Sequence, residues 1–220
     1  MNSPMQPQPT VEPRHVLPRG AELTGASVEE LFDAAGALRS GHFVLKSGRH
    51  SDRYLEKFAV LQDPSLGTEV GRRLAAALID LDPTLVVGPT TGGALLAFET
   101  ARQLEALLGR TVRGVFAEPM ERGTRGLRRG WPIDASERVV LVDDILTTGA
   151  SLAETVSAVR AAGATPLAAA VIVDRSTGPV EIGCPIRPLG RIEIGSWGAE
   201  ECPACVRGER LVKPGSSAPS

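Results

Sequence analysis

One stretch limits the possible folds of this chain more than any other, namely Arg138–Ser151 with the sequence RVVLVDDILTTGAS. Val139–Val142 is an uninterrupted apolar run, which is the pattern of a parallel strand covered on both faces. Asp143 and Asp144 follow at the carboxyl end of that strand, where open α/β sheets bind their ligands. Small residues then lead into a helix predicted to begin near Ser151, whose N–H groups and dipole suit an anion. The pattern predicts a site for a phosphorylated sugar, although paired acids that merely cap the helix would give the same sequence.

A second strand and turn of the same kind occur earlier in the chain. Thr84–Gly88 reads as a short buried strand and runs directly into Pro89–Gly93, which precedes a helix predicted over 94–108. This glycine-rich turn would present N–H groups to a second anion, but it is not a Walker P-loop because no Gly-Lys-Ser/Thr follows. Tight packing of the helix on the strand would also require glycine there.

Composition and length favour one α/β domain. The chain has 220 residues, of which 42% are hydrophobic and only 4% aromatic, so aliphatic side chains must form most of the core. The net charge of −2, without a sustained basic run, argues against nucleic-acid binding. No apolar segment approaches the ~20 residues that span a bilayer, and no secretory signal pattern is present. We therefore expect a cytoplasmic enzyme without nucleic-acid or membrane partners.

Three segments are expected along the chain. The proline-rich residues 1–26 should form a disordered extension, 27–210 a single domain, and 211–220 a polar tail. The capping-box pattern at Ser27–Glu30 predicts a first helix over Val28–Arg39. Further patterns predict strands over 41–48, 49–57, 112–116, 166–173 and 187–194, and helices over 65–81 and 151–162.

Residues 117–130, which we call the lid segment, lack any period and contain glycine and proline at hinge-like spacing. A charged segment of this kind is a candidate lid over a reacting centre. Solvated surface arginines would look the same. Its cations are Arg122, Arg125, Arg128 and Arg129.

The three cysteines do not form a disulfide framework. Cys202 and Cys205 have the Cys-x-x-Cys spacing of half a structural zinc site, and Cys184 would supply a third sulfur. Because no good fourth ligand is evident, the sequence favours a reduced pair in a compact turn.

Two motifs carry a family resemblance. The stretch VLVDDILTTGAS resembles the signature with which type I phosphoribosyltransferases hold phosphoribosyl pyrophosphate. The stretch GHFVLKSGRHS at 41–51 is similar to the N-terminal region of orotate phosphoribosyltransferases, which forms a small hood over the base. The resemblance implies an α/β fold with a parallel sheet flanked by helices, and a hood built from the N-terminal segment and C-terminal strands. It also implies transfer of a phosphoribosyl group to orotate, with Mg²⁺ as cofactor and a homodimer as the assembly.

The resemblance further assigns roles to single residues. The catalytic residues would be Asp143, Asp144, Arg122 and Arg125, with Asp143 and Asp144 reaching a metal ion only through water. The phosphoribosyl pyrophosphate site would comprise these two acids with Ile145, Leu146, Thr147, Thr148, Gly149, Ala150, Ser151, Thr90, Thr91 and Gly92. Orotate would contact Lys46, Thr147 and Arg175.

The lid segment departs from many orotate enzymes because it has neither lysine nor histidine, so its arginines must substitute. Lys46 and Arg175 would pair with the orotate carboxylate, for which arginine offers a bidentate fork. A solvated lysine beside a turn and a surface pair of Asp174 with Arg175 are the alternatives for these two positions. A purine-type phosphoribosyltransferase and a non-catalytic regulator that binds phosphoribosyl pyrophosphate remain alternatives for the whole chain.

Overall fold

The computed structural model describes residues 20–45 and 47–214, except for the side chains of Ala21 and Arg122. Lys46 therefore lies outside the described residues, as do 1–19 and 215–220. The helices are α1 (Val28–Ala34), α2 (Lys57–Leu61), α3 (Pro64–Leu78), α4 (Gly92–Leu108), α5 (Ala150–Ala161) and α6 (Pro203–Val206). The strands are β1 (Leu38–Val44), β2 (His50–Leu55), β3 (Leu85–Pro89), β4 (Arg113–Pro119), β5 (Arg125–Gly126), β6 (Val139–Leu146), β7 (Pro166–Asp174) and β8 (Ile186–Arg191).

Six strands form the central sheet in the order β5-β4-β3-β6-β7-β8, with every pair parallel except β4 with β5. Along β6, Val140 and Val142 pack into a core with α3 and α4, whereas Val139 and Leu141 pack into a second core with α5. Both faces of β6 are therefore covered, which explains its uninterrupted apolar run. The predicted α/β class, with a parallel sheet flanked by helices, is confirmed.

β1 and β2 form a separate antiparallel hairpin, which we call the hood. The C-terminal segment pairs with the hood through single bridges, from Val212 to Phe43 and from Trp197 to His50. In the part of the chain that is described, the C-terminal contribution to the hood thus consists of isolated bridges rather than full strands.

The first helix is shorter than its predicted span of Val28–Arg39, and that prediction is wrong at its end. α1 stops at Ala34 because Gly36 takes a left-handed conformation with φ of +62°. The Ala37 N–H donates to the Phe32 carbonyl at 2.8 Å and closes the helix end. The chain then enters β1 at Leu38.

The ordered fold begins before Ser27. Residues Gly20–Leu23 form a short 3-10 helix, and the Gly20 N–H donates to the Ser65 hydroxyl at 2.5 Å. The Arg73 guanidinium donates to the Leu23 carbonyl at 2.7 Å and to the Ala26 carbonyl at 2.6 Å. These contacts place at least residues 20–26 of the expected extension against α3.

β6 is longer than the apolar run that predicted it. It pairs with β7 as far as the Leu146–Asp174 register, so that both acids lie within the strand. No helix among the described residues is long and apolar enough to cross a membrane.

Candidate active site

Asp143 and Asp144 lie near the carboxyl end of β6 and are buried, with 8% and 3% of their surfaces exposed. The Asp144 N–H donates to Asp143 Oδ1 at 2.8 Å, and the Ile145 N–H donates to Asp144 Oδ1 at 2.8 Å. Burial, followed by the neighbouring Asp144 charge, raises the pKa of Asp143 to about 7. The acid pair therefore carries a group that takes up or releases a proton near neutral pH.

Lys57 contacts the acid pair directly, and sequence reasoning missed it. Its Nζ lies 2.8 Å from Asp144 Oδ2 and 3.0 Å from Oδ1. Lys57 is the first residue of α2 and follows the hood strand β2 by two positions. The only available signal was a cation immediately after a hood strand, which is weak because isolated lysines are usually solvated.

The turn after β6 leads into the open N-terminus of α5. Gly149 is the N-cap residue of this helix, with φ of +79°, and has no side chain that could cap the first turn. The Thr148 hydroxyl accepts from the first N–H of the helix, that of Ala150, at the long distance of 3.5 Å. A Cβ atom at Gly149 would overlap the Val180 side chain. A cavity of about 50 Å³ is lined by Asp143 and by residues 145–152. The first-turn N–H groups of α5 thus border a small polar cavity, which suits a phosphate.

The second turn places the N-terminus of α4 against the acid pair. Thr91 is the N-cap of α4, and its side chain makes no capping hydrogen bond. A methyl group added to Gly92 would overlap Asp144 Oδ2. Glycine is therefore required by close approach to the acid as well as by helix packing. Thr90 is half-buried beside this turn.

The lid segment folds back on the sheet edge, where β5 pairs with the end of β4. Within it Arg125 points inward, since its side chain is only 13% exposed. Arg125 Nη1 donates to the Ala117 carbonyl at 3.2 Å and to the Thr90 carbonyl at 3.4 Å. Its Nε lies 3.4 Å from Glu154 Oε2. Burial and the Asp144 charge raise the pKa of Asp143, and the Arg125 charge offsets part of that rise. Arg125 thereby joins the lid segment to the second turn and to α5.

The other lid arginines are placed differently. Arg129 forms an ion pair with Glu118 at 2.6 Å, and its guanidinium lies 6.0 Å from the Phe116 ring centre. Arg128 is exposed. The side chain of Arg122 lies outside the described part of the structure, so its assignment stays a prediction.

Arg175 follows β7, and its guanidinium interacts electrostatically with Tyr54 of the hood strand β2. Its N–H donates to the Leu146 carbonyl at 2.8 Å. Burial lowers the pKa of its half-buried guanidinium, while the nearby Tyr54 of β2 raises it. Within the described residues, its buried Nε has no hydrogen-bond partner. Asp174 instead pairs with Arg191 at 3.2 Å, so Arg175 is not consumed in a surface pair with its neighbour.

The remaining residues of the predicted site contribute in different ways. Thr147, Thr148 and Ala150 are exposed at the first turn, and Ser151 is half-buried. Leu146 is buried and its carbonyl already accepts the Arg175 N–H, so it lines the cavity without offering a polar side chain.

A family model described as the phosphoribosyl transferase domain matches residues 61–193, more than half of the chain. An orotate phosphoribosyltransferase from Pelotomaculum thermopropionicum is 43% identical over 194 residues, covering 88% of this chain and 98% of the relative. Another orotate phosphoribosyltransferase, from Caldanaerobacter subterraneus, is 40% identical over 189 residues, which cover 86% of this chain and 96% of that relative. The crystal structure of orotate phosphoribosyltransferase from Aeropyrum pernix is 27% identical, with a TM-score of 0.61, and the match covers 75% of this chain and 93% of that one.

The fold and its two open helix N-termini beside an acid pair define a phosphoribosyltransferase. Within that class, the chain belongs to the orotate phosphoribosyltransferase family.

Proposed function

We propose that this chain transfers the 5-phosphoribosyl group from phosphoribosyl pyrophosphate to orotate, giving orotidine 5'-monophosphate and pyrophosphate. One observation carries the proposal. Two helix N-termini whose N-cap residues make no capping hydrogen bond flank the buried acids. The guanidinium of Arg175, which has no ionic partner among the described residues, follows the adjacent strand. The helix N-termini suit the two phosphate-bearing ends of the donor. The guanidinium of Arg175 suits the carboxylate of the acceptor.

The reaction needs placement and charge neutralisation more than a protein nucleophile. The bond from the ribose anomeric carbon to pyrophosphate breaks, positive charge builds on the ring, and an orotate nitrogen forms the new bond. Asp143 and Asp144 would contact the ribose hydroxyls and favour that developing charge. The turn over 147–151 would hold the 5-phosphate. Arg125 would face the leaving pyrophosphate, because it already contacts the second turn at Thr90.

We propose Mg²⁺ as the cofactor. The carboxylates of Asp143 and Asp144 are hard oxygen donors at the strand end, which suits this ion, and Lys57 already occupies one side of Asp144. These acids would therefore reach the ion through water, while the pyrophosphate supplies the direct ligands. When bound, Mg²⁺ would neutralise charge on the leaving pyrophosphate.

We also propose a homodimer that forms through α4. Leu95 and Phe98 are 52% and 69% exposed, and their spacing of three residues places them on one helix face. An exposed apolar pair of this size favours a protein contact. Light scattering should give a dimer mass for the native chain and a monomer mass for Phe98→Glu. A monomeric native chain would contradict this assembly.

The free cysteines suit a reducing compartment, so we propose a cytoplasmic location.

A substrate screen tests the reaction. The purified chain is incubated with phosphoribosyl pyrophosphate, Mg²⁺ and one of orotate, uracil, adenine or hypoxanthine, and pyrophosphate release is measured. We expect release with orotate and at least about tenfold less with the others, because they lack the carboxylate. Release with adenine or hypoxanthine instead would identify a purine-type enzyme, and release with none would favour a regulator.

The Lys46→Ala, Arg175→Ala double variant tests the proposed orotate site. It should lose orotate use while still folding, as judged by its thermal unfolding transition. Undiminished orotate turnover in this variant would remove the assignment of the acceptor site.

A further inference from the structure

Two of the three histidines and two of the three cysteines of the chain converge at one point of the hood. His42 lies in β1, His50 in β2, and Cys202 and Cys205 flank the start of α6. One ligand atom from each of the four residues lies within 4.8 Å of the others. Sequence reasoning found the cysteine pair but missed both histidines, which are about 150 residues earlier in the chain.

The spacing of these atoms matches a tetrahedral zinc site. With Zn–N bonds of about 2.0–2.1 Å and Zn–S bonds of about 2.3 Å, tetrahedral edges are about 3.3 Å between nitrogens and about 3.6 Å between nitrogen and sulfur. His42 Nε2 lies 3.0 Å from His50 Nδ1, 3.5 Å from Cys202 Sγ and 3.6 Å from Cys205 Sγ. His50 Nδ1 lies 3.2 Å from Cys205 Sγ. These four distances are close to those expected between the ligands of one tetrahedral zinc ion.

The ring of His42 is held in the tautomer that a metal needs. Its Nδ1 lies 2.9 Å from the Glu209 carbonyl, an oxygen that can only accept a hydrogen bond. Nδ1 therefore carries the proton, and the lone pair of Nε2 is directed at the cluster. An outer hydrogen bond of this kind commonly orients metal-bound histidines.

The chemistry of the donors selects the metal. Two thiolates and two imidazoles favour Zn²⁺ over the oxygen-seeking Mg²⁺. Two thiolates also neutralise the charge of the ion, which lowers the cost of holding it beside the buried His42, His50 and Cys202. Cys184 takes no part, since it packs against the second core on the α5 side of the sheet.

We propose that His42, His50, Cys202 and Cys205 bind one structural zinc ion that fastens the C-terminal segment to the hood. Four protein ligands close the coordination sphere, as in structural rather than catalytic zinc sites. On binding, the two cysteine thiols lose their protons to solvent and each donates an electron pair to the metal.

The position of the cluster indicates what the ion stabilises. An isolated two-stranded hairpin is marginally stable, and the hood consists of only β1 and β2. Its contacts with the C-terminal segment include the bridges at Phe43–Val212 and His50–Trp197. The zinc ion would add a link among both strands and α6, and so hold the hairpin against the C-terminal segment. This proposal goes beyond the proposed transfer reaction, because zinc binding can be measured without it.

Metal content of the full chain provides the test. The protein is purified under reducing conditions and passed through a desalting column, and its zinc content is then measured by elemental mass spectrometry. We expect about one zinc per chain. In protein stripped with a chelator and loaded with Co²⁺, we expect the intense visible absorption of a tetrahedral site with thiolate ligands. A native chain that neither retains zinc nor gives this cobalt spectrum would overturn the proposal.

Variants locate the site. Cys202→Ser and His42→Gln should weaken zinc binding by more than the ~10- to 100-fold that changes outside the ligand set cost. Cys184→Ser is the matched control and should retain zinc. Equal zinc content in Cys202→Ser and Cys184→Ser would contradict the assignment, as would a Cys202–Cys205 disulfide found by thiol counting in the freshly purified chain. The cobalt spectrum of the native chain keeps the test decisive if a variant fails to fold.

Discussion

Lys57 joins the end of the hood to the acid pair, with its Nζ 2.8 Å from Oδ2 of Asp144. The lysine is 35% exposed, whereas the aspartate side chain is 4% exposed. A buried carboxylate thus depends on a cation supplied by the segment that follows β2. The position of the hood and the charge of the acid pair are therefore connected.

Lys57→Met should destabilise the protein because it leaves Asp144 buried without its cation. Loss of one partner of a fully buried pair costs about 3–5 kcal/mol, and the partial exposure of Lys57 reduces this to about 1–3 kcal/mol. Denaturant unfolding at pH 8 would measure the change. Arg72→Met is the control, since Glu69 keeps its second partner Arg73 at 2.7 Å. Equal losses in the free energy of unfolding for the two variants would contradict the expectation that Asp144 depends on Lys57 more than Glu69 depends on Arg72.

The raised pKa of Asp143 should make the ligand-free protein less stable as pH rises. In the unfolded chain this group loses its proton near 3.8, whereas in the folded chain it keeps the proton until about 7. Between these values the folded state binds the extra proton, so the free energy of unfolding falls with increasing pH. Asp143→Asn should remove this contribution, which is on the order of 2–4 kcal/mol.

Unfolding measured at pH 5 and pH 8 without Mg²⁺ checks this expectation. Asp134→Asn is the control, because Asp134 is fully exposed and its hydrogen bonds with Ser136 lower its pKa, away from this range. If native protein and Asp143→Asn lose the same stability between the two pH values, Asp143 is ionised throughout.

Arg125 should contribute more to pyrophosphate binding than the exposed Arg128 does. A charge-assisted hydrogen bond contributes about 1.5–3 kcal/mol, so Arg125→Ala should lower kcat/KM for phosphoribosyl pyrophosphate by about 10- to 100-fold. Arg128→Ala removes the same charge from the same segment and should change it by less than about threefold. A larger loss from Arg128→Ala would mean that the segment moves to present that residue instead.

Gly149→Ala should damage both the turn and the stability of the fold. A non-glycine residue at φ of +79° costs on the order of 1–3 kcal/mol, and the added methyl group meets the Val180 side chain. Gly67→Ala in α3 is the matched control, because nothing lies within 4 Å of its added Cβ. It should stabilise the helix by about 0.5–1 kcal/mol. Melting temperatures of the two variants should therefore shift in opposite directions.

Local sequence patterns predicted those parts of the molecule whose structure depends on residues close together in the sequence. The apolar run of β6, its two acids and the small-residue turn all lie within one stretch, so their arrangement followed from strand and helix geometry. The capping box at Ser27 gave the start of α1 correctly, because both of its hydrogen bonds are formed. The end of α1 was predicted too late in the chain. Leu38 falls at helical spacing from the earlier apolar residues, so the helical pattern continues past Gly36, whose left-handed conformation ends the helix.

Contacts between distant segments could not be predicted from these patterns. Lys57 reaches Asp144 across 87 positions, and His42 reaches Cys202 across 160. The sequence around Lys57 or His42 does not indicate these partners, because only the folded chain brings the distant segments together. The inward direction of Arg125 likewise depends on β5 pairing with β4, which the aperiodic sequence of the lid segment did not indicate.

The most direct test of the acceptor assignment compares orotate with uracil, which lacks the carboxylate. The ratio of kcat/KM for orotate to that for uracil would be measured with Mg²⁺ and saturating phosphoribosyl pyrophosphate, in the native chain and in Arg175→Ala. If Arg175 binds the carboxylate, the native ratio should be large and should fall by at least about tenfold in the variant, through loss of orotate turnover. An unchanged ratio would contradict the proposal that Arg175 selects the acceptor.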